Sequence, residues 1–369
     1  VVISLKAFKK SMADQSPVDG SRGEPKEALQ RKKLGSRKEG RKGRAMHVLV
    51  IGAAGMVGRK LVERLLREGE LKGRAISRLS LYDVMAPGEL PPATFPIEKL
   101  TGDFAAEGEA ERLVADKPEV IFHLAAIVSG EAEQDFDKGY RINLTGTWRL
   151  LEAIRKADYC PRLVFTSSIA VFGAPFPERI PDDFHHTPLT SYGVQKSCGE
   201  LLLMDYTRKG LLDGVGIRLP TICVRPGKPN KAASGFFSGI IREPLAGVEA
   251  VCPVDPEVRH WFASPRAAVG FLIHAAALDG EQLGPRRNLT MPGVSETVGG
   301  MVEALRRVAG EGVASRVRWE PDPFIQGIVA GWPTTFEAKR ARELGFEAES
   351  SFEEIIRIHI EDELAGKIA

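Results

Sequence analysis

The sequence predicts an α/β protein built on a doubly wound, mostly parallel sheet, followed by a smaller mixed α/β lobe. Three observations predict it. From Met46 to about Arg225, short apolar runs alternate with amphipathic helical stretches, the pattern of successive βαβ units. Gly52, Gly55 and Gly58 fall where the first apolar run turns into the first helical stretch. After Arg225 the alternation loosens into mixed helices and short strands.

In order, "HVLVIG" reads as a buried strand and "MVGRKLVERLLREG" as an amphipathic helix stopped by a glycine. "LSLYDV" is the second strand. "EVIFHLAA" and "RLVFTSS" are further strands, with the helix "NLTGTWRLLEAIRKA" between them. A helix begins near Tyr192 and leads to the strand "GVGIRLPTICV". "RPGKPNKAASG" is a loop, and a helix is expected around Phe236–Leu245. These boundaries divide the chain into residues 1–45, a dinucleotide-binding domain over 46–225, and a substrate lobe over 226–369 partly interleaved with it.

Bulk properties narrow the class. No apolar run is long enough to span a bilayer, so no membrane role is expected. The four cysteines (Cys160, Cys198, Cys223, Cys252) are scattered, which argues against a zinc site or disulfide framework and fits a reducing cytoplasm. No metal is expected. Of 51 Lys/Arg, 13 fall in residues 1–45 against 5 of the 49 Asp/Glu, a net of +8. The remainder carries 38 against 44, a net of −6. The basic segment lacks apolar periodicity and is expected to be disordered. It has no secretory core; a transit peptide or a nucleic-acid-binding arm are the sharper alternatives, and neither is preferred. Met46, directly before the first strand, is read as a candidate start.

The glycines carry the first chemical reading. Gly52, Gly55 and Gly58 let a backbone turn tightly and approach a pyrophosphate, while the helix start offers free N–H groups and a positive dipole end. An acidic residue, Asp83, ends the next strand where a carboxylate accepts the ribose hydroxyls and repels a 2′-phosphate. The cofactor is therefore expected to be NAD. On the helix "SYGVQKS", Tyr192 and Lys196 stand four residues apart on one face.

The spacing G-x-x-G-x-x-G resembles the extended short-chain dehydrogenase/reductase family, and the resemblance runs from Met46 to about Arg225, implying a Rossmann-type sheet. It implies cofactor contacts from Met56 and Val57 beside the three glycines, from Asp103 in "GDF", from Leu124, Ala125 and Ala126 in "HLAA", and from Pro220. It implies that Asn143 in "NLTGT" stabilises the site. It also implies that Ser168 in "VFTSSIAVFG" holds the reacting oxygen, with Ser167 ranked second, and that Tyr192 and Lys196 form the Y-x-x-x-K pair. Phe172 replaces a tyrosine common in that turn. A tyrosine titrates near pKa ~10 in water, so a general base at neutral pH needs help. Lys196 and the positive nicotinamide ring are expected to favour the phenolate, with Lys196 also holding the ribose. Tyr192 would take the hydroxyl proton as hydride leaves for NAD. His185 and His186 are read as loop packing, and His47 as structural.

The substrate reading rests on departures. Nucleotide-sugar members carry an asparagine after the last sheet strand, where this chain has Pro220 and Thr221. Their acidic segment is replaced by "RHWFASPRAAV". Arg225, Arg242, Arg259 and Arg266 lie in the expected substrate lobe, and guanidinium groups suit carboxylates; Arg225, Arg242 and Arg266 are the substrate candidates. "SGFFSGIIREPLAG" and "RHWFASPRAAV" resemble a sugar-acid branch that oxidises the C2 hydroxyl of a four-carbon acid such as D-erythronate. The expected partner is thus a small sugar acid, with the assembly left open and a homodimer among the options. The alternatives are a nucleotide-sugar epimerase or reductase and, less favoured, a non-catalytic NAD-binding protein.

Overall fold

The computed structural model describes residues 46–227 and 234–368; the expected disordered segment 1–45 lies outside them. Thirteen strands are labelled in chain order. β1 (Met46–Ile51), β2 (Glu70–Leu71), β3 (Arg74–Asp83), β4 (Ile97–Thr101), β5 (Val120–His123), β6 (Arg162–Ser168) and β7 (Asp213–Leu219) come first. β8 (Thr221–Ile222), β9 (Ala250–Cys252), β10 (Arg259–Ala263), β11 (Asn288–Thr290), β12 (Val294–Thr297) and β13 (Val317–Trp319) follow. Helices of at least eleven residues are α1 (Met56–Glu68), α2 (Thr147–Ala157), α3 (Ser191–Arg208), α4 (Gly235–Leu245), α5 (Pro265–Ala277), α6 (Val298–Ala309) and α7 (Phe352–Glu363).

The main sheet runs β11-β7-β6-β5-β1-β3-β2, with β4 also on β3. All these pairings are parallel except β2 with β3. β1 and β5 are almost wholly buried because both faces of the sheet are covered. On one face Val48, Val50, Leu61 and Leu65 pack with Phe271 and Leu272. On the other, Leu49, Ile51, Leu150, Ile154 and Leu203 form a second core. β1 has β3 on one side and β5 on the other, so the winding reverses there. Doubly wound sheets take ligands at such a point, beyond the carboxyl ends of the strands.

Three features differ from the sequence reading. β3 starts at Arg74 rather than Leu79, because polar Ser77 and Arg78 interrupt its apolar run while pairing with β1 continues. β4 was not anticipated; it is an edge strand with Glu98 and Lys99 in its middle. β11, far along the chain, completes the main sheet beside β7. The later residues otherwise build their own core, in which Phe237, Ile240, Phe262, Met301, Leu305 and Phe352 pack together.

Buried histidines tie this fold to pH. His123 lies between Phe104 and Phe165 with its Nε2 on the Thr147 hydroxyl, and burial pushes it down to about 3. Burial does the same to His260, stacked on Phe237, and takes His359 to about 4. The unfolded chain binds these protons near pH ~6.5 and the native one refuses them, so stability is complete above that value and lost as pH falls through the window below it. Urea unfolding at pH 7.5 and at pH 5 is expected to differ by a few kcal/mol; equal values would show that these rings are protonated in the native state.

Candidate active site

α1 is preceded by Gly55, which offers no side-chain cap, so the N–H groups of Met56, Val57 and Gly58 in its first turn have no capping side chain. Gly52 has φ +95°, and a Cβ there would lie 2.7 Å from the Ala125 nitrogen. At Gly58 a Cβ would fall 2.0 Å from the Gly52 carbonyl oxygen. Gly55 differs, since a Cβ would make ordinary contact at 3.5 Å; nothing in the chain itself requires a glycine there. Leu124 and Ala125 both donate to the Ile51 carbonyl, at 2.8 and 3.0 Å, drawing the Leu124–Ala126 segment alongside the glycine loop.

Two carboxylates border this cradle. Asp83 ends β3 and accepts the Ala54 N–H at 2.9 Å, which fixes it against the glycine loop. Asp103 accepts the Ala105 N–H at 3.0 Å and pairs with Arg141 at 2.6 Å. An uncapped helix start, a loop in which only hydrogen fits at Gly52 and Gly58, and a half-exposed carboxylate at the end of β3 fit a dinucleotide. Asp83→Asn keeps the shape and removes the charge. The preference for NAD over NADP is expected to drop roughly tenfold or more, a change of ~1.4 kcal/mol; an unchanged ratio of kcat/KM values would show that Asp83 does not face the ribose.

The serine, tyrosine and lysine converge across the next elements. The Thr190 hydroxyl caps α3 by accepting the Gly193 N–H at 3.0 Å, which places Tyr192 in the first turn. Ser168 is the last residue of β6; its Oγ accepts the Ala170 N–H at 3.1 Å, and it stands close enough to the Tyr192 phenol to oppose the upward shift of its pKa. Lys196, one turn on, is buried and donates to the Thr166 carbonyl at 2.7 Å. Its Nζ lies 5.6 Å from the centre of the Tyr192 ring. Leu219 pairs in register with Ser168, so Pro220 follows directly at the end of β7.

Asn143 sits in a π-helical turn over Tyr140–Gly146, not in the α-helix the sequence suggested. Its Oδ1 accepts the Ile127 N–H at 2.9 Å, and its Nδ2 donates to the Ile127 carbonyl at 3.2 Å and to Gln195 Oε1 at 2.8 Å. It thereby fastens the segment after Ala126 to the helix of Tyr192 and Lys196. Gln195 had not been singled out; its place beside Lys196 gives no pattern that distinguishes it from an ordinary helix residue.

Burial sets the electrostatics. It pushes the Tyr192 phenol up to about 12, with the Ser168 hydrogen bond opposing, and pulls the Lys196 ammonium down to about 7, with Glu200 opposing. The expectation that Lys196 lowers the tyrosine thus meets a larger desolvation effect in the chain itself.

The arginines separate. Arg266 is turned to the last helix, where it pairs with Glu361 at 2.9 Å and with Asp362. Those carboxylates, at the exposed surface, already answer its charge. Arg259 donates to the Ser295 carbonyl at the surface. Arg242 donates to the Arg225 carbonyl at 2.7 Å and pairs with Glu243. Arg225 is half-buried with Arg242 as its nearest strong charge, and it has no carboxylate partner among the described residues.

Residues 48–261 match the NAD dependent epimerase/dehydratase family. The chain belongs to that family and is an NAD-dependent oxidoreductase. A Cupriavidus necator protein named D-erythronate dehydrogenase is 50% identical over 321 residues, covering 86% of this chain and 98% of that protein. A Haemophilus influenzae protein of the same name is 42% identical, covering 86% of this chain and 99% of its own. A solved structure described as a nucleoside-diphosphate-sugar epimerase from Agrobacterium tumefaciens is 62% identical with a TM-score of 0.86, covering 88% of this chain and 96% of that one.

Proposed function

We propose that this protein oxidises the C2 hydroxyl of a small sugar acid, D-erythronate, to the corresponding 2-oxo acid. The observation that carries the chemistry is the convergence of Ser168 at the end of β6 with Tyr192 and Lys196 on α3, where the Lys196 ammonium lies 5.6 Å from the centre of the Tyr192 ring. NAD, when bound, accepts the hydride and brings the positive ring charge that offsets the desolvation of Tyr192. Met56, Val57 and Gly58 hold the pyrophosphate through backbone N–H groups, Asp83 holds the adenosine ribose, and Asp103 borders the adenine. Ser168 Oγ positions the C2 hydroxyl. The Tyr192 phenolate takes its proton as the C2–H bond breaks with its electron pair, leaving the C2 carbonyl. Lys196, charged, favours the phenolate and holds the nicotinamide ribose.

Two relatives named D-erythronate dehydrogenase, each matched over nearly its whole length, support the choice of acid. Arg225 supports it independently, as a half-buried guanidinium without a carboxylate partner among the described residues. The second reading, a nucleotide-sugar epimerase, is favoured by the description of the Agrobacterium structure. An epimerase returns the hydride and leaves no net reduced cofactor. Incubation with NAD and C3–C6 aldonates or UDP-sugars, reading accumulated NADH, separates the two. Accumulation with D-erythronate above the other acids supports the proposal, and turnover of UDP-sugars without accumulation sinks it.

A further inference from the structure

A buried acidic group stands behind the catalytic lysine. Tyr192, Lys196 and Glu200 occupy successive turns of α3, and Glu200 is wholly buried. Its Oε1 accepts the Ser167 hydroxyl at 2.5 Å and the Arg218 Nε–H at 2.9 Å. Its Oε2 takes the Arg218 Nη2 at 2.7 Å and faces His186 Nε2 at 3.0 Å. One carboxylate therefore joins β6, at the residue before Ser168, to β7 and to the loop that leads into α3. Arg218 also lies 4.9 Å from the centre of the Phe172 ring. Burial alone would raise Glu200, but Arg218 and His186 hold it down at about 2, so it is an anion at any working pH.

We propose that Glu200 is a positioning residue for the reaction: its buried anion keeps Lys196 charged and holds Ser168 in line by fixing Ser167. Among the groups facing Lys196, β6 offers the neutral Thr166 carbonyl and the Phe165 ring. β5 offers His123, kept neutral by burial, and α3 itself offers Tyr192 and Glu200. Across β7, Arg218 is a cation that competes for the same carboxylate. Glu200 is the one anion that opposes the desolvation of Lys196 among the described residues.

The inference rests on the reading of Tyr192 and Lys196 as the working pair, and its test is separable from that reading. The charged form of Lys196 is lost as pH rises, which gives the alkaline limb of kcat/KM. In Glu200→Gln, which keeps the shape but removes the charge and exchanges one accepting oxygen for a donor, that limb is expected to move to lower pH by about one unit. NAD affinity, measured by fluorescence titration across the same pH range, weakens at correspondingly lower pH. Arg218→Met removes the competing cation, so the limb is expected to move the other way. Glu200→Asp, which retains the charge, keeps the limb near its original place. Melting curves identify which variants fold, and any one that folds decides the matter. Shifts in the stated directions support the inference, and limbs that stay put while activity falls overturn it. Full turnover in Lys196→Ala would instead overturn the reading of the pair itself.

Discussion

Tyr192→Phe lowers turnover of D-erythronate by roughly 10²–10⁴, the usual worth of a positioned acid or base, while NAD binding stays close to that of the unaltered protein. The phenol oxygen is the group that meets Ser168, whereas the ring and the rest of α3 are fixed by the Thr190 cap and by packing. On the proposed mechanism, removing that oxygen deletes the proton acceptor and little else. Lys196 donates to the Thr166 carbonyl independently of the phenol, so the hold on the cofactor proposed for it should survive in the variant. The measurement is single-turnover kinetics beside a cofactor titration. Turnover within a few-fold of the original would mean that another group takes the proton.

Arg225→Ala acts on binding. A guanidinium meeting a carboxylate through charge-assisted hydrogen bonds is worth about 1.5–3 kcal/mol, so KM for D-erythronate should rise roughly 10- to 100-fold with kcat little changed. Arg266→Ala is the contrast: its partners are surface carboxylates of α7, where an exposed pair contributes ~0–1 kcal/mol, and steady-state kinetics should be unaltered. Arg242→Ala releases the Arg225 carbonyl and should fall between the two. An Arg225→Ala enzyme with unaltered KM, or an Arg266→Ala enzyme with a raised one, would reverse the assignment.

The glycine cradle was legible because backbone space leaves a chemical trace: at Gly52 and Gly58 no Cβ fits, and strand and helix periodicities bracket them. Tyr192 and Lys196 were legible because a fixed spacing on one helix brings them to one face. The pairing of Arg266 was not legible because its partners, Glu361 and Asp362, lie almost a hundred residues away, and charge in a sequence carries no information about who answers it. Arg218 was invisible for a similar reason, reading as a strand residue until the fold brings Glu200 and His186 to it. Glu200 itself could have been found, since it continues the spacing of Tyr192 and Lys196 by one more turn. β4 and β11 escaped because an edge strand with charges and a three-residue strand are too short or too polar to show a period.

Net hydride transfer from C2 of a sugar acid to NAD is the central claim, and D-erythronate deuterated at C2 tests it most directly. Incubated with the enzyme and NAD, it should yield deuterated NADH and the 2-oxo acid in equal amounts, with slower turnover than the unlabelled acid. Deuterium that stays with the sugar acid, or a nucleotide sugar that is inverted while NAD returns unreduced, would contradict it.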